Sequence, residues 1–270
     1  MYHRSLPRNR PDTDTSLDTA TRGVCLRLSD IHAGYGKKEI LHGFSLTVQA
    51  GGMVALFGAN GAGKSSILKV VMGLLKPLSG LIWLDNENIT SLSVSSRVAH
   101  GVSFLVQSDE IFPSLSVREN LGLAALILPS SARSQATEEA LDLFPEIKAR
   151  ISLRAGLLSG GQRRMLALAM VLSQRPSVLL LDEPTAGIAP DRVPDILHSI
   201  REINLRLGVT TLLVEHQMDL VLQHLGCQAL YLDHSKMGPP ILSLAEWRQT
   251  LAQDSGKLSC VTLPEGDIAK

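Results

Sequence analysis

The chain has 270 residues, and its 26 lysines and arginines are balanced by 26 aspartates and glutamates. At about 150 residues per domain, that length allows one large domain or two small ones with a core that needs no staples. The zero net charge gives no basic excess of the kind that marks a nucleic-acid partner. The 3 cysteines (Cys25, Cys227 and Cys260) lack metal-ligand spacing and fit free thiols in a reduced compartment better than a disulfide framework.

No apolar stretch approaches the ~20 residues of a membrane-spanning helix; the longest candidate, Leu121 to Leu128, is stopped by Pro129. Met1 to Thr21 is polar and has no apolar signal-peptide region. We therefore expect a protein soluble by itself, whose membrane role, if it has one, comes through a partner. Residues 1–22 read as a disordered leader, since Pro7, Pro11 and interspersed charges leave nothing to bury.

Patterned sequence begins at Val24 to Leu28, where alternation predicts a strand, and continues in a second extended stretch from Phe44 to Val48. Gly51-Gly52 reads as a turn. Met53 to Phe57 is a continuous apolar run, as expected of a strand buried on both faces. Lys64 to Leu75 has helical spacing, and Pro77 is expected to stop it. Strand, glycine-rich turn and helix in that order form half of a parallel α/β unit.

The middle of the chain changes character. Leu121 to Leu128, Thr137 to Phe144 and Gly160 to Leu172 read as helices, with breaks at Pro129 to Ser131, Pro145 and Gly156. Strand signals return at Val178 to Leu181 and Thr210 to Val214. A parallel sheet interrupted by a mostly helical insertion follows, with a core over 23–110 and 174–240, an insertion over 111–173, and a weakly patterned extension over 241–270.

Gly58-Ala59-Asn60-Gly61-Ala62-Gly63-Lys64-Ser65 matches the phosphate-loop pattern G-x-x-x-x-G-K-[ST] without a mismatch. Glycines let backbone N–H groups turn toward phosphate oxygens, and the helix that follows points its positive end at the anion. Lys64 would neutralise the β- and γ-phosphates, the Ser65 hydroxyl would coordinate Mg²⁺, and Ser66 would add a phosphate contact. Asp182 and Glu183 end the second apolar strand, where open α/β sheets place ligands. Asp182 is the candidate Mg²⁺ holder, and Glu183 the candidate for polarising the attacking water.

Leu158-Ser159-Gly160-Gly161-Gln162 precedes the helix that leads to the acidic strand. With the two preceding sites in this order, it resembles the signature of ATP-binding-cassette (ABC) ATPases over about Val24 to Asp233. The resemblance implies an α/β fold: a P-loop NTPase, RecA-like, with antiparallel N-terminal strands and an inserted helical subdomain. It also implies ATP and Mg²⁺, and a head-to-tail dimer in which Ser159, Gly160, Gly161 and Gln162 of one cassette close over ATP held by the other. Tyr35 resembles the aromatic that stacks on adenine. Gln107 stands at the glutamine loop that senses Mg²⁺ and the γ-phosphate, and His216 stands where the family has its switch histidine. Ser116 to Asn120 resembles a segment near the coupling surface for membrane subunits.

Within the family, several details are similar to ATPases of branched-chain amino acid and urea importers. These are Gln107 followed by Ser108-Asp109-Glu110-Ile111-Phe112-Pro113, then Leu143-Phe144-Pro145, Met165 after the signature, and Gly187-Ile188-Ala189-Pro190. That branch implies integral-membrane permease subunits, a second ABC ATPase as dimer partner, an indirectly associated substrate-binding protein, and a cytoplasmic position on the inner face of the plasma membrane. Ala189 replaces the aspartate that most cassettes use to couple their two sites. Val106 replaces a proline, and Tyr231 to Leu244 lacks the glycine-punctuated hairpin common near the cassette end. A soluble ABC ATPase without a transport role, or the ATPase of a lipid or lipopolysaccharide exporter, would share much of this pattern.

Overall fold

The computed structural model describes residues 23–107, 111–233 and 236–241. The predicted leader and nearly all of the C-terminal extension lie outside the described residues, as do Ser108, Asp109 and Glu110. Strands β1 (Leu26–Tyr35) and β2 (Lys38–Val48) pair antiparallel, and β3 (Met53–Gly58) then runs into helix α1 (Lys64–Met72). Next come β4 (Ser79–Leu84), the short β5 (Glu87–Asn88), α2 (Val94–Ala99) and β6 (Val102–Leu105). Four helices follow: α3 (Val117–Ala124), α4 (Ser130–Asp142), α5 (Pro145–Lys148) and α6 (Gly160–Leu172). The chain re-enters the sheet as β7 (Val178–Asp182), continues through α7 (Val193–Leu207), β8 (Thr210–Val214) and α8 (Met218–His224), and closes with β9 (Gln228–Asp233) and β10 (Lys236–Ile241).

Two sheets result. The antiparallel one has the order β2-β1-β4-β5, so strands from beyond α1 complete what the N-terminal pair begins. The larger one has the order β10-β9-β3-β8-β7-β6. Its central pairs β9–β3, β3–β8, β8–β7 and β7–β6 are parallel, and β10 is antiparallel at its edge. Strand side chains alternate between two cores. Val54, Leu56, Leu180 and Leu212 pack with α1 and the antiparallel sheet, while Ala55, Phe57, Leu181 and Leu213 pack against α6 and α7. Every residue of β7 and β8 is buried. Burial of a Val or Leu side chain contributes about 1.5–3 kcal/mol, so the strands that end in polar site residues are anchored by their apolar stems.

Several boundaries differ from the sequence expectation. Helix α1 stops at Met72, well before Pro77, because Gly73 adopts φ 85° and its N–H turns back to the Lys69 and Val70 carbonyls; a glycine C-cap acts earlier than a downstream proline. The helix expected at Leu121 begins at Val117, where Ser116 and Glu119 form a reciprocal capping box. Beyond Ala124 only a single 3₁₀ turn, Ala125–Ile127, continues it. The break expected over Pro129 to Ser131 is confined to Leu128 and Pro129, and α4 already starts at Ser130. Near the cassette end β9 and β10 pair antiparallel, with Asp233 opposite Lys236. Helix Gly160–Leu172 has the expected bounds.

Candidate nucleotide site

Four neighbouring strands deliver the polar residues. In the order β3-β8-β7-β6, all parallel, their C-terminal ends lead to the phosphate loop, to Glu215 and His216, to Asp182 and Glu183, and to Gln107. Parallel register alone therefore gathers segments distant in sequence along one edge of the sheet.

The phosphate loop wraps on itself. Lys64 is 6% exposed, and its Nζ donates to the carbonyls of Gly58 (2.7 Å) and Ala59 (3.0 Å). Burial pushes the Lys64 ammonium below its ordinary pKa, opposed by the nearby carboxylates of Glu183 and Asp182. Two glycines are required by space. A Cβ at Gly58, where φ is 144°, would lie 2.1 Å from the Leu232 carbonyl oxygen, and one at Gly63, where φ is 101°, would lie 2.7 Å from Leu41 Cδ2. A cleft of about 180 Å³ opens here, lined among others by Asn60, Gly61, Gly63, Lys64, Ser65 and Ser66, with Glu183 and His216 across from them.

The acidic strand closes the opposite wall. Ser65 Oγ donates to Asp182 Oδ1 at 2.9 Å. Burial raises the Asp182 pKa above its ordinary value, against the lowering effect of that hydrogen bond. Glu183 is met on both oxygens: Gln107 Nε2 donates to Oε2 at 2.5 Å, and His216 Nε2 donates to Oε1 at 2.7 Å. Its backbone has φ 47°, a left-handed conformation that costs a non-glycine residue about 1–3 kcal/mol. Hydrogen bonds hold it there, since its N–H donates to the Val214 carbonyl and its carbonyl accepts from Ala186 N–H.

Other expected residues stand elsewhere. Tyr35 ends β1 at 48% exposure and does not line the cleft; Ile40 of β2 does. Ser159, Gly160, Gly161 and Gln162 form the start of α6, also away from this cleft. Ser159 is its N-cap, with Ser159 Oγ accepting from Gln162 N–H at 3.3 Å and Gln162 Oε1 accepting from Ser159 N–H at 3.1 Å. The positive end of α6 is thus formed and aimed outward. Gly160 lines a separate cavity of about 260 Å³ together with Gln107 and the Ala186-Gly187-Ile188 loop.

Three residues complete this geometry without having been singled out by the sequence. Glu215 is 2% exposed; its Oε1 accepts from Thr185 N–H (2.9 Å) and Thr185 Oγ1 (2.7 Å), and its Oε2 from His216 N–H (3.1 Å). It ties the loop after Glu183 to the segment carrying His216. Glu146 of α5 accepts from Gln162 Nε2 at 2.6 Å and pairs with Arg192 Nη2 at 3.1 Å, joining the signature to the start of α7. Arg164 of α6 is buried against the acidic loop. A carboxylate directly before His216 was a readable signal; the partners of Glu146 and Arg164 were not.

The ABC transporter family model matches residues 41–186. The chain is 38% identical over 198 residues to the probable branched-chain amino acid transport ATP-binding protein LivF of Archaeoglobus fulgidus, covering 73% of this chain and 84% of that protein. It is 34% identical over 212 residues to the high-affinity branched-chain amino acid transport ATP-binding protein BraG of Pseudomonas aeruginosa, covering 78% and 90% respectively. Among solved structures, an ATP-binding cassette of an ABC transporter in its ADP conformation gives a TM-score of 0.77 at 24% identity, covering 86% of this chain and 96% of that one. The structure of cbiO1 from Clostridium perfringens, part of the ABC transporter complex cbiONQ, gives 0.74 at 26% identity with the same coverage. A phosphate loop, an acidic strand end and a signature helix in one parallel-sheet fold, matched by this family over more than half of the chain, lead to one conclusion: the protein belongs to the ABC transporter family and is one of its ATP-hydrolysing cassettes.

Proposed function

We propose that the chain powers an ABC importer of branched-chain amino acids or a related small polar solute such as urea, working as one half of a cassette dimer. The observation that carries the catalytic reading is Glu183, held by Gln107 and His216 on its two oxygens beside the phosphate loop. The transported class rests on the names of the relatives in Archaeoglobus fulgidus and Pseudomonas aeruginosa.

In this reading the amides of Gly58 to Ser66 and the Lys64 ammonium bind the triphosphate, and Tyr35 stacks on the base. Lys64 leaves its two backbone carbonyls for phosphate oxygens when nucleotide enters. The Ser65 hydroxyl and the Asp182 carboxylate are hard oxygen donors 2.9 Å apart and would hold Mg²⁺. When bound, Mg²⁺ supplies charge that offsets the negative phosphates. Glu183 orients and accepts a proton from the attacking water, His216 and Gln107 hold that carboxylate and report the γ-phosphate, and the Ser159–Gln162 helix start of the second cassette closes the site.

Membrane subunits are the expected partners. No helix among the described residues is long and apolar enough to cross a membrane. A groove of about 340 Å³ between Phe104, Phe112, Leu123, Met170 and Val171 leaves Phe112 and Leu123 exposed, and supports docking of an apolar element of a permease on the cytoplasmic side. The test is to isolate the tagged protein from its native membranes in mild detergent. Two polytopic permeases with a second cassette are the expected companions. Soluble partners alone, under several detergents, would overturn the importer.

A further inference from the structure

We propose that Arg164 is a positioning residue for hydrolysis, one that fixes Glu183 and the glutamine loop from the same helix that carries the signature. It thereby links engagement of the signature by the partner cassette's ATP to the catalytic carboxylate of its own subunit. The inference rests on the roles given above to Glu183 and Ser159.

Arg164 is 3% exposed and lies one turn into α6. Its guanidinium donates from Nε to the Pro184 carbonyl (2.8 Å), from Nη1 to the Val106 carbonyl (3.0 Å), and from Nη2 to the carbonyls of Glu183 (2.9 Å) and Asp182 (3.3 Å). Three of these belong to the acidic loop and the fourth adjoins Gln107. One planar fork therefore holds both the carboxylate and the amide that donates to it. Of the four residues whose carbonyls it binds, Glu183 has the left-handed backbone, so the bond to its carbonyl supports a strained position.

The N-terminal end of α6 is Gly160, about 6 Å along the axis from Arg164 at 1.5 Å per residue. A helix moves as a stiff unit, so displacement of Ser159–Gly161 by a phosphate in trans shifts the guanidinium and, with it, Glu183. This route does not pass through Ala189, where most cassettes carry a coupling aspartate.

The test uses the full chain with Arg164→Lys and Arg164→Gln. Lysine keeps the charge but has one nitrogen, which cannot span four carbonyls. Arg164→Lys should lower kcat by about 10–100-fold, the scale of a small misplacement of a catalytic group, while the Kd for ATP, read by displacement of a fluorescent ATP analogue, changes less than about 3-fold. Combined with Ser159→Ala, the losses should be non-additive, because both act through one helix. Unchanged kcat, a matching loss of ATP affinity, multiplicative losses in the double variant, or failure of both Arg164 variants to fold would each overturn the proposal. Glu183→Gln measured alongside separates the two readings. If it turns over like the parent, the catalytic assignment itself fails; if it is inactive while Arg164→Lys turns over like the parent, only the positioning role fails.

Discussion

His216 Nε2 lies 2.7 Å from Glu183 Oε1, although 33 positions separate the two residues in sequence. The contact exists because β7 and β8 are parallel neighbours, with Asp182 opposite Val214, so the residues that follow each strand emerge side by side. With Gln107 on the other oxygen, the carboxylate faces the phosphate loop in a defined orientation.

Glu183→Gln should therefore lower ATP turnover by about 10²–10⁴-fold, the usual cost of losing a general base, while ATP still binds. Phosphate release and nucleotide titration on the same preparation check both halves. Loss of binding in parallel with turnover would assign Glu183 to the binding wall instead.

Asp182→Asn should raise the Mg²⁺ concentration needed for half-maximal turnover by about 10-fold or more, in line with the loss of a metal-organising group. The amide oxygen can still accept from Ser65, so the loop geometry is kept. A Mg²⁺ titration of turnover that superposes on the parent's would exclude Asp182 from holding the ion.

Burial raises the Asp182 pKa above 3.8, which sets the sign of a pH effect. A carboxyl whose folded-state pKa is raised stabilises the fold fully below its unfolded value, and the contribution is lost as pH rises through the folded value. At pH 7 without divalent ions the ionised Asp182 is thus a liability. Asp182→Asn should then melt higher than the parent at pH 7 without divalent ions. The gain should shrink as pH falls toward the carboxylate range; an equal gain at pH 7 and pH 4 would contradict the burial argument.

Arg97 offers a structural contrast to Arg164. It is 1% exposed and donates to the carbonyls of Val70 and Val71 (2.6 Å each), Thr90 (2.8 Å) and Leu92 (3.2 Å), joining the end of α1 to the segment before α2. Each buried carbonyl left without a donor costs about 1–3 kcal/mol. Arg97→Ala should lose at least about 3 kcal/mol in urea unfolding, and a loss under 1 kcal/mol would show that water replaces the guanidinium.

Burial pushes the Cys227 thiol up to about 12, so almost no thiolate is present at pH 8. Iodoacetamide should leave Cys227 unmodified in the native protein and alkylate it after denaturation, as read by peptide mass. Rapid native labelling would place this segment in frequent local opening.

The sequence by itself determined the phosphate loop, the acidic strand end and the signature helix, because each is a local device. Contiguous amides and one lysine cradle phosphate, an apolar run ends in carboxylates, and Ser159 caps the helix it begins. The capping box at Ser116 and the stop at Gly73 were equally local, yet periodicity passed over them in favour of Leu121 and Pro77. Tertiary structure alone decided that Gln107 and His216 share Glu183, that Glu215 binds Thr185, and that Arg164 grips the carbonyls around the acidic loop. Those contacts depend on strand order and helix placement, which arise when two cores close on opposite faces of one sheet. A hydrogen bond between residues 19 to 76 positions apart leaves no periodic trace in the chain that makes it.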